Sequence, residues 1–262
     1  MQKNNPIGIL DSGVGGLTVL KEVQALLPGE DIIYFGDNKN VPYGNKTKEE
    51  VISLTKQALN FLLTKKVKLI GVGCNTITTI LDQIRPEFSL QIIGVIEPVI
   101  AHLAAGSYKS LGLIATPFTI ESQYYHTQIS TTCGDIELTA EGCPTLAAYI
   151  DQGNFTKEGL LAETQSHINN IRKNKAVDTI ILGCTHYPLI TEYLKEFYPG
   201  YHFINPALYQ ALAIQKYLAE NSLLSTTGTG SVNIYTTGDT AKYQQFTEML
   251  NIKNIHTLNS LS

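Results

Sequence analysis

Short apolar runs alternate along the chain with longer segments in which apolar side chains recur at helical spacing. The short runs predict buried strands at 7–10, 31–35, 68–72, 91–95, 111–115, 136–140, 178–182, 202–204 and 232–235. The periodic segments predict helices at 17–27, 47–65, 77–83, 118–130, 157–172, 189–197, 208–219 and 240–250. Regular alternation of strands and helices is typical of an α/β fold with mainly parallel sheets.

The chain also repeats itself weakly, in three pairs of stretches that keep the same order. "IGILDS" at 7–12 resembles "LGLIAT" at 111–116, "VPYG" at 41–44 resembles "CPTL" at 143–146, and "LIGVGCNT" at 69–76 resembles "TIILGCTH" at 179–186. The repeat predicts two pseudo-symmetric lobes, 1–97 plus 206–262 and 98–205, with 221–230 as a polar loop before the tail returns to the first lobe. Ligands of open parallel sheets bind outside the carboxyl ends of the strands, so we expect an active-site cleft between the lobes.

Composition narrows the classes of function. The chain has 262 residues, of which 43% are hydrophobic, and a formal net charge of −4, which argues against a nucleic-acid partner. No uncharged apolar stretch approaches the roughly 18 residues of a membrane span, and the N-terminus lacks the apolar region of a signal peptide. We therefore expect a cytoplasmic protein without a membrane partner. Its cysteines form no CxxC pair, which argues against a disulfide scaffold or a metal site.

Two of these cysteines, Cys74 and Cys184, occupy matching positions in the repeat. Each follows a strand and a glycine and precedes a helix, whose dipole would lower the thiol pKa. An isolated cysteine of this kind is usually a packing residue, but a matched pair favours function. Hydrolysis needs one nucleophile and one base, whereas racemisation needs an acid/base group on each face of one carbon. The pair therefore fits proton transfer better than acyl transfer.

Polar residues accompany both cysteines in the loops of the predicted cleft. In "DSGVGG", Asp11 and Ser12 end the first strand, and N–H groups at the following helix start can bind a carboxylate. Asp11 can orient a substrate ammonium or help Cys74 move a proton. The remaining candidates, which can also serve as turn residues or helix caps, are Tyr43, Gly44, Asn75, Thr76, Thr185 and His186. Cys133 and Cys143 lack this context and are interpreted as packing residues.

Four motifs in order resemble the glutamate racemases of the aspartate/glutamate racemase superfamily. They are "ILDSGVGGLTVLKE", "YFGDNKNVPYG", "GCNT" and "LGCTHYPL", and the likeness runs from about residue 7 to about 205. It implies two α/β lobes and cofactor-independent interconversion of L- and D-glutamate. D-glutamate enters bacterial peptidoglycan, so the resemblance also implies a cytoplasmic bacterial enzyme with a role in cell-wall biogenesis and cell shape.

The resemblance assigns roles residue by residue. Cys74 and Cys184 match the catalytic thiols, supported by Asp11 and His186 respectively. The substrate-binding pairs are matched by Asp11 and Ser12, Tyr43 and Gly44, Asn75 and Thr76, and Thr185 and His186. Related aspartate racemases typically carry Glu at the position of His186, so the histidine favours glutamate as the substrate.

The chain departs from the family pattern at three places. Ile77 replaces a smaller alanine after the first cysteine motif, and Asn40 replaces an arginine before "VPYG". Many members carry a glutamate in the segment after the Cys-Pro, where "AAYIDQG" offers Asp151. Its side chain is shorter, which leaves its supporting role open.

Other functions stay open at this point. The chain can racemise another acidic amino acid such as aspartate, or bind an amino acid without catalysis. A third alternative is a hydrolase or amidotransferase that uses Cys184 and His186. That alternative leaves Cys74 unexplained, and residues two apart on a turn rarely point at each other well enough to act as nucleophile and base. The sequence does not fix the oligomeric state, with a homodimer as one candidate.

Overall fold

The structure, a computed structural model, describes residues 2–226 and 228–261, in which parallel strands form two separate sheets. The first sheet contains β1 (Ile7–Asp11), β2 (Ile32–Gly36), β3 (Leu69–Val72), β4 (Ile92–Gly94), β9 (Val232–Thr236) and β10 (Ile255–Ser260). The second contains β5 (Ser110–Ala115), β6 (Glu137–Gly142), β7 (Thr179–Gly183) and β8 (His202–Ile204). The strand orders are β10-β9-β2-β1-β3-β4 and β6-β5-β7-β8. This confirms the predicted α/β class with two lobes. Residues 1, 227 and 262, which the predicted lobes and loop include, lie outside the described residues.

Helices connect the strands and cover both faces of each sheet. They are α1 (Leu17–Leu26), α2 (Lys48–Thr64), α3 (Asn75–Thr78), α4 (Leu81–Ile84), α5 (Ile96–Ala105), α6 (Pro117–Glu121), α7 (Tyr124–Thr132), α8 (Leu146–Asp151), α9 (Lys157–Ile171), α10 (Thr191–Phe197), α11 (Pro206–Glu220) and α12 (Thr240–Leu250). In the part of the chain that is described, no helix combines the length and the apolar character needed to cross a membrane.

Two apolar cores flank each sheet, which explains why the strands read as nearly continuous apolar runs. In the first sheet, α1, α11 and α12 pack on one face and α2 to α4 on the other. In the second sheet, α8 to α10 cover one face while α5 and α7 cover the other. The connecting helices α5 and α11 pack on each other between the two sheets. Strands β9 and β10 extend the first sheet beyond β2.

Several predicted elements differ from the observed ones. The helix predicted at 77–83 is two short helices, α3 and α4, and the helix at 118–130 breaks at Gln123, whose φ is +55°. Three elements were not predicted at all: α5, which carries Pro98 in its first turn, the short α8, and β10. The strand β10 lies at a sheet edge and is largely exposed, so its sequence lacks the apolar run that revealed the other strands.

Candidate active site

Four strands end at one cavity between the sheets. Ser12 follows β1, Cys74 lies just beyond β3, Thr116 follows β5, and Cys184 follows β7. The cavity has a volume of about 220 Å³. It is lined by Ser12, Val41, Pro42, Tyr43, Gly44, Cys74, Asn75, Thr76, Thr116, Ala147, Ala148, Asp151, Gly183, Cys184, Thr185 and His186. Parallel strands present their carboxyl ends at the same edge of a sheet, so the two sheets bring both cysteine loops to this cavity.

The Cys74 thiol is nearly enclosed, with an exposed fraction of 6%. Its sulfur lies 3.5 Å from Oγ of Ser12. Burial, helped by the negative charge of Asp11, raises the pKa of this thiol to about 12. The prediction that the helix start lowers the thiol pKa is therefore wrong for Cys74. The helix α3 has a single turn, and its dipole is too weak to offset the removal of water from the thiolate.

Asp11 lies behind the cavity wall rather than in it, and its carboxylate is fully buried. Oδ1 accepts a hydrogen bond of 2.9 Å from the backbone N–H of Gly13, and Oδ2 accepts one of 3.1 Å from the Thr185 hydroxyl. Burial raises the pKa of Asp11 to about 6, although these hydrogen bonds and the charge of His186 oppose the rise. Asp11 is therefore placed to act on Cys74 by its charge, with Ser12 making the direct contact to the sulfur.

Cys184 ends a chain of polar groups that runs through the second lobe. Its sulfur lies 3.8 Å from Nδ1 of His186, whose Nε2 lies 3.1 Å from Oδ1 of Asp151. The expectation that residues 184 and 186 would point apart is wrong. His186 has right-handed helical backbone angles and caps a short helical segment over 187–190, and its ring lies beside the sulfur. The shorter Asp151 side chain does reach His186.

The charges of His186 and Asp151 stabilise each other. Burial opposes a charged imidazole at His186, but hydrogen bonds to Asp151 and Cys184 outweigh it and raise the pKa to about 10. Burial also works against the charged form of Asp151, yet its bonds to His186 and Lys242 lower the pKa to about 2. An imidazolium beside Cys184 can stabilise the thiolate form of that residue. His186 therefore lies beside the sulfur of Cys184, whereas the carboxylate of Asp11 acts on Cys74.

The glycines of "DSGVGG" serve close packing behind the site. A Cβ atom at Gly15 would lie 2.6 Å from both Nδ1 of His186 and the hydroxyl oxygen of Thr185. A Cβ atom at Gly16 would lie 2.4 Å from the Cβ of Asp11. Only glycine fits such approaches. Of residues 11–16, Ser12 is the one that lines the cavity. The expectation that N–H groups at this helix start bind a substrate carboxylate therefore does not hold for Gly15 and Gly16.

Amide and hydroxyl groups complete the wall beside Cys74. Tyr125 donates a hydrogen bond of 2.8 Å to Oδ1 of Asn75. Within the described residues, Nδ2 of Asn75 has no hydrogen-bond partner, so a donor remains available beside the cavity. The Thr76 hydroxyl lies 3.2 Å from that of Thr116, on the other sheet. Thr116 was not predicted from the sequence, although the repeat pairs it with Ser12. No sequence pattern indicated Tyr125.

Of the other residues singled out in the sequence, some line the cavity and others lie away from it. Tyr43 and Gly44 line the cavity, and the Tyr43 hydroxyl donates a hydrogen bond of 2.7 Å to Asp37. Ile77 packs in a core under α2 and does not reshape the cavity. Cys143 is buried in a core, while Cys133 is half-buried against α5. Among the described residues, no group of three or more potential ligands is placed to hold a metal ion.

Each lobe contributes a thiol and hydroxyl groups to one cavity, with Asp151 in its wall and Asp11 buried behind it. This arrangement is that of an α/β enzyme of the amino-acid racemase class. The model of the Asp/Glu/hydantoin racemase family matches residues 7–214. The chain therefore belongs to this family, and it is an isomerase that acts on amino acids.

Relatives and solved structures give the same result. A glutamate racemase of Thermoanaerobacter sp. is 37% identical over 94% of this chain and 92% of its own length. The crystal structure of a glutamate racemase isoform from Bacillus anthracis superposes with a TM-score of 0.92 at 30% identity, covering 100% of this chain and 98% of the other. The glutamate racemase of Francisella tularensis, in complex with D-glutamate, gives 0.91 at 33% identity, covering 99% and 98%. The resemblance drawn from the four motifs is thus confirmed.

Proposed function

We propose that the protein interconverts L- and D-glutamate without a cofactor, using Cys74 and Cys184 as its two acid/base groups. The observation that carries the proposal is the presence of both thiols in the wall of one cavity, each after a strand of a different sheet. One group can then approach the α-carbon from each side. A carbon acid that is deprotonated on one face and reprotonated on the other inverts its configuration.

The proton balance of this reaction closes without any other reactant. In one direction the thiolate of Cys184 takes the α-proton, and the electron pair of the C–H bond passes to the substrate as a carbanion. The thiol of Cys74 then delivers its proton to the opposite face. The enzyme is left with a Cys184 thiol and a Cys74 thiolate, which is the form that acts on the other enantiomer.

The groups around the two sulfurs support these roles of Cys184 as base and Cys74 as acid. His186 can carry a positive charge next to Cys184, which favours a thiolate there. The burial that raises the pKa of Cys74, with Asp11 behind it, favours a protonated thiol. In the direction written above, Cys184 therefore acts as the base and Cys74 as the acid. After one turnover Asp11 lies behind a thiolate at Cys74, and its charge makes that thiolate a stronger base toward the other enantiomer.

A small acidic amino acid suits the polar groups of the wall. Hydroxyl and amide groups of Ser12, Asn75, Thr76, Thr116 and Thr185 surround the cavity, and both arginines of the chain lie elsewhere. Carboxylates would be held by these neutral donors. The glutamate racemases among the relatives support glutamate as the substrate. We further propose that the product supplies D-glutamate for peptidoglycan in the cytoplasm.

Single replacement of each thiol tests the two-base reaction. Circular dichroism would follow L- and D-glutamate, and L- and D-aspartate, with the wild type, Cys74→Ala and Cys184→Ala. We expect the wild type to racemise glutamate and to exchange the α-proton in D₂O, and each variant to lose racemisation. Cys133→Ala is the matched control because Cys133 is a free, half-buried cysteine away from the cavity. Full activity in either active-site variant would rule out the scheme.

The Cys184–His186–Asp151 contacts favour a second candidate, an amidotransferase or hydrolase. A thiol, an imidazole and a carboxylate in series are the parts of a nucleophilic triad. Ammonia release from glutamine by the wild type separates the candidates. Release that survives Cys74→Ala and is lost in Cys184→Ala would support the hydrolase, since only the racemase needs both thiols.

A further inference from the structure

The helix α12 contacts both lobes. Tyr243 and Phe246 anchor it in the core of the first sheet. On its other side, Nζ of Lys242 lies 2.6 Å from Oδ2 of Asp151, and Nε2 of Gln245 donates a hydrogen bond of 3.0 Å to the carbonyl of Gly153. The tail of the chain, beyond the 7–214 segment matched by the family model, thus contacts the end of α8.

Asp151 uses its two oxygens for two different partners. Oδ1 accepts from His186 at 3.1 Å and Oδ2 accepts from Lys242 at 2.6 Å. A carboxylate held at both oxygens cannot rotate about its terminal bond without losing one partner. The plane of the Asp151 carboxylate therefore sets the direction of the bond to His186, and so which way the imidazole faces Cys184.

We propose that Lys242 is a positioning residue for Cys184, acting through Asp151 and His186. The inference rests on the proposed function, because it assigns Lys242 to the half-site of one catalytic thiol. Lys242 itself is not part of the cavity wall. Its role is to hold the carboxylate that holds the imidazole, so that Nδ1 stays directed at the Cys184 sulfur.

The short side chain of Asp151 limits the positions from which its carboxylate can reach His186. That contact therefore depends on the position of the backbone at Asp151 and on one rotamer. The bond from Lys242 fixes the rotamer, and the bond from Gln245 to Gly153 fixes the backbone two residues further on. The other charged group that acts on His186 is the carboxylate of Asp11, which lies on the first lobe and does not contact Asp151.

A second ion pair in the chain provides a matched control. Lys56 lies 2.6 Å from Glu87, and its side chain is 34% exposed. The Lys242 side chain has the same exposed fraction and the same distance to its partner. The Lys56 pair is exposed and contributes little to folding, so Lys56→Met should leave the melting temperature nearly unchanged. Asp151 is more buried than Glu87, 17% against 53% exposed, so the melting temperature of Lys242→Met is measured beside its kinetics. Any difference in activity between them then reports on the site.

Steady-state kinetics with L- and D-glutamate give the first test. We expect Lys242→Met to lower kcat about tenfold, which is part of the roughly 10²- to 10⁴-fold that a positioned acid/base group contributes. KM should change by less than about twofold, because the contacts of the cavity wall to the substrate are retained. Lys242→Arg, which keeps the charge and the reach, should recover most of kcat, and Lys56→Met should match the wild type. Equal kcat in Lys242→Met and Lys56→Met would overturn the proposal.

Thiol alkylation gives a second test that does not depend on turnover. The rate of reaction of each cysteine with iodoacetamide would be followed by mass spectrometry of its peptide. We expect Cys184 to react several-fold more slowly in Lys242→Met, because a displaced imidazolium stabilises less thiolate. Cys74 and Cys133 in the same sample serve as internal references and should react as in the wild type. An unchanged rate at Cys184 would contradict the role assigned to Lys242.

A double-mutant cycle with Asp151→Asn shows whether Lys242 acts through Asp151. If it does, the double variant should have the same kcat and Cys184 alkylation rate as Asp151→Asn alone. Additive effects would refute the path through the carboxylate. A wild type without racemase activity would refute the proposed function, while the alkylation rates would still test the Lys242 linkage.

Discussion

The hydroxyl of Thr185 donates a hydrogen bond of 3.1 Å to Oδ2 of Asp11, and this bond joins the loops that follow β7 and β1. The carbonyl of Thr185 also accepts a bond of 3.1 Å from the Thr18 hydroxyl, at the start of α1. The loop that carries Cys184 is therefore tied to the lobe that carries Cys74. Both contacts lie behind the cavity and keep the two half-sites in register.

We expect Thr185→Val to lower kcat/KM for glutamate by roughly 10- to 100-fold, the equivalent of one hydrogen bond to a charged group. The substitution keeps the shape of the side chain but leaves Oδ2 of buried Asp11 without its donor. Steady-state racemisation assays in both directions measure the effect. Thr185→Ser keeps the hydroxyl and should stay within about threefold of the wild type; a similar loss in both variants would show that the hydrogen bond to Asp11 is not the cause.

Tyr125 should affect substrate binding although it lies outside the cavity wall. Its hydroxyl holds Oδ1 of Asn75 at 2.8 Å and so fixes which end of the amide faces inward. We expect Tyr125→Phe to raise KM about three- to tenfold, the equivalent of one hydrogen bond, with little change in kcat. Tyr124→Phe is the matched control, since the Tyr124 hydroxyl contacts Asp82 and Glu97. Equal kinetics in the two variants would refute the orienting role.

Asp11→Asn should make the fold more stable at neutral pH while it removes activity. The pKa of Asp11 is about 6 in the folded chain against an ordinary 3.8. Stability from this group is fully present below about pH 4 and is lost as the pH rises through 6, because the unfolded chain ionises first. The neutral amide avoids that loss, which amounts to roughly 2–3 kcal/mol.

Urea unfolding at pH 7 and pH 4.5 measures this effect, with exposed Asp135→Asn as the control. The gain in the free energy of unfolding from Asp11→Asn should be larger at pH 7 than at pH 4.5. A variant that is less stable than the wild type at pH 7 would show that the hydrogen bonds of Asp11 outweigh the cost of burying its charge.

The contact between His186 and Asp151 should stabilise the fold over a defined pH window. The pKa of Asp151 is lowered to about 2 from 3.8, so its contribution is present above about pH 4 and lost as the pH falls through 2. The pKa of His186 is raised to about 10 from 6.5, so its contribution is full below about pH 6.5 and lost as the pH rises through 10. The pair therefore contributes most between about pH 4 and pH 6.5.

Thermal unfolding of Asp151→Asn at pH 5.5 and pH 9 tests this window. The drop in melting temperature relative to the wild type should be larger at pH 5.5 than at pH 9. Glu87→Gln breaks an exposed ion pair of similar length and should show the same small change at both values. An equal drop for Asp151→Asn at the two pH values would mean that it acts through packing and not through charge.

Local patterns predicted most of the fold. Apolar runs located nine of the ten strands in the described residues, and most of these are buried on both faces and need apolar side chains throughout. The edge strand β6 is partly exposed but keeps a short apolar run at its start, whereas the edge strand β10 lacks one and was not predicted. The break between α6 and α7 at Gln123 was also not predicted, because a single residue in the left-handed region leaves the apolar spacing of its neighbours intact.

Part of the candidate site was likewise predicted from local sequence patterns, and part was not. Each cysteine, with its glycine and its polar neighbours, is a contiguous motif after a strand, and a parallel sheet carries such motifs to one edge. Contacts between segments that are far apart in the sequence have no contiguous motif that would reveal them. Tyr125 and Lys242 contact site residues 50 and 91 positions away along the chain, and only packing brings these residues together.

The sequence by itself determined the residue types of the site, the order of strands and helices, and the pairing of the two cysteine motifs. These follow from local spacing and from side-chain chemistry. The tertiary structure decided the direction of the Cys74 pKa, the contact of Cys184 with His186, and the reach of Lys242 to Asp151. Each of these depends on how completely water is excluded and on which distant side chain fills the space, and both are properties of the packed chain as a whole.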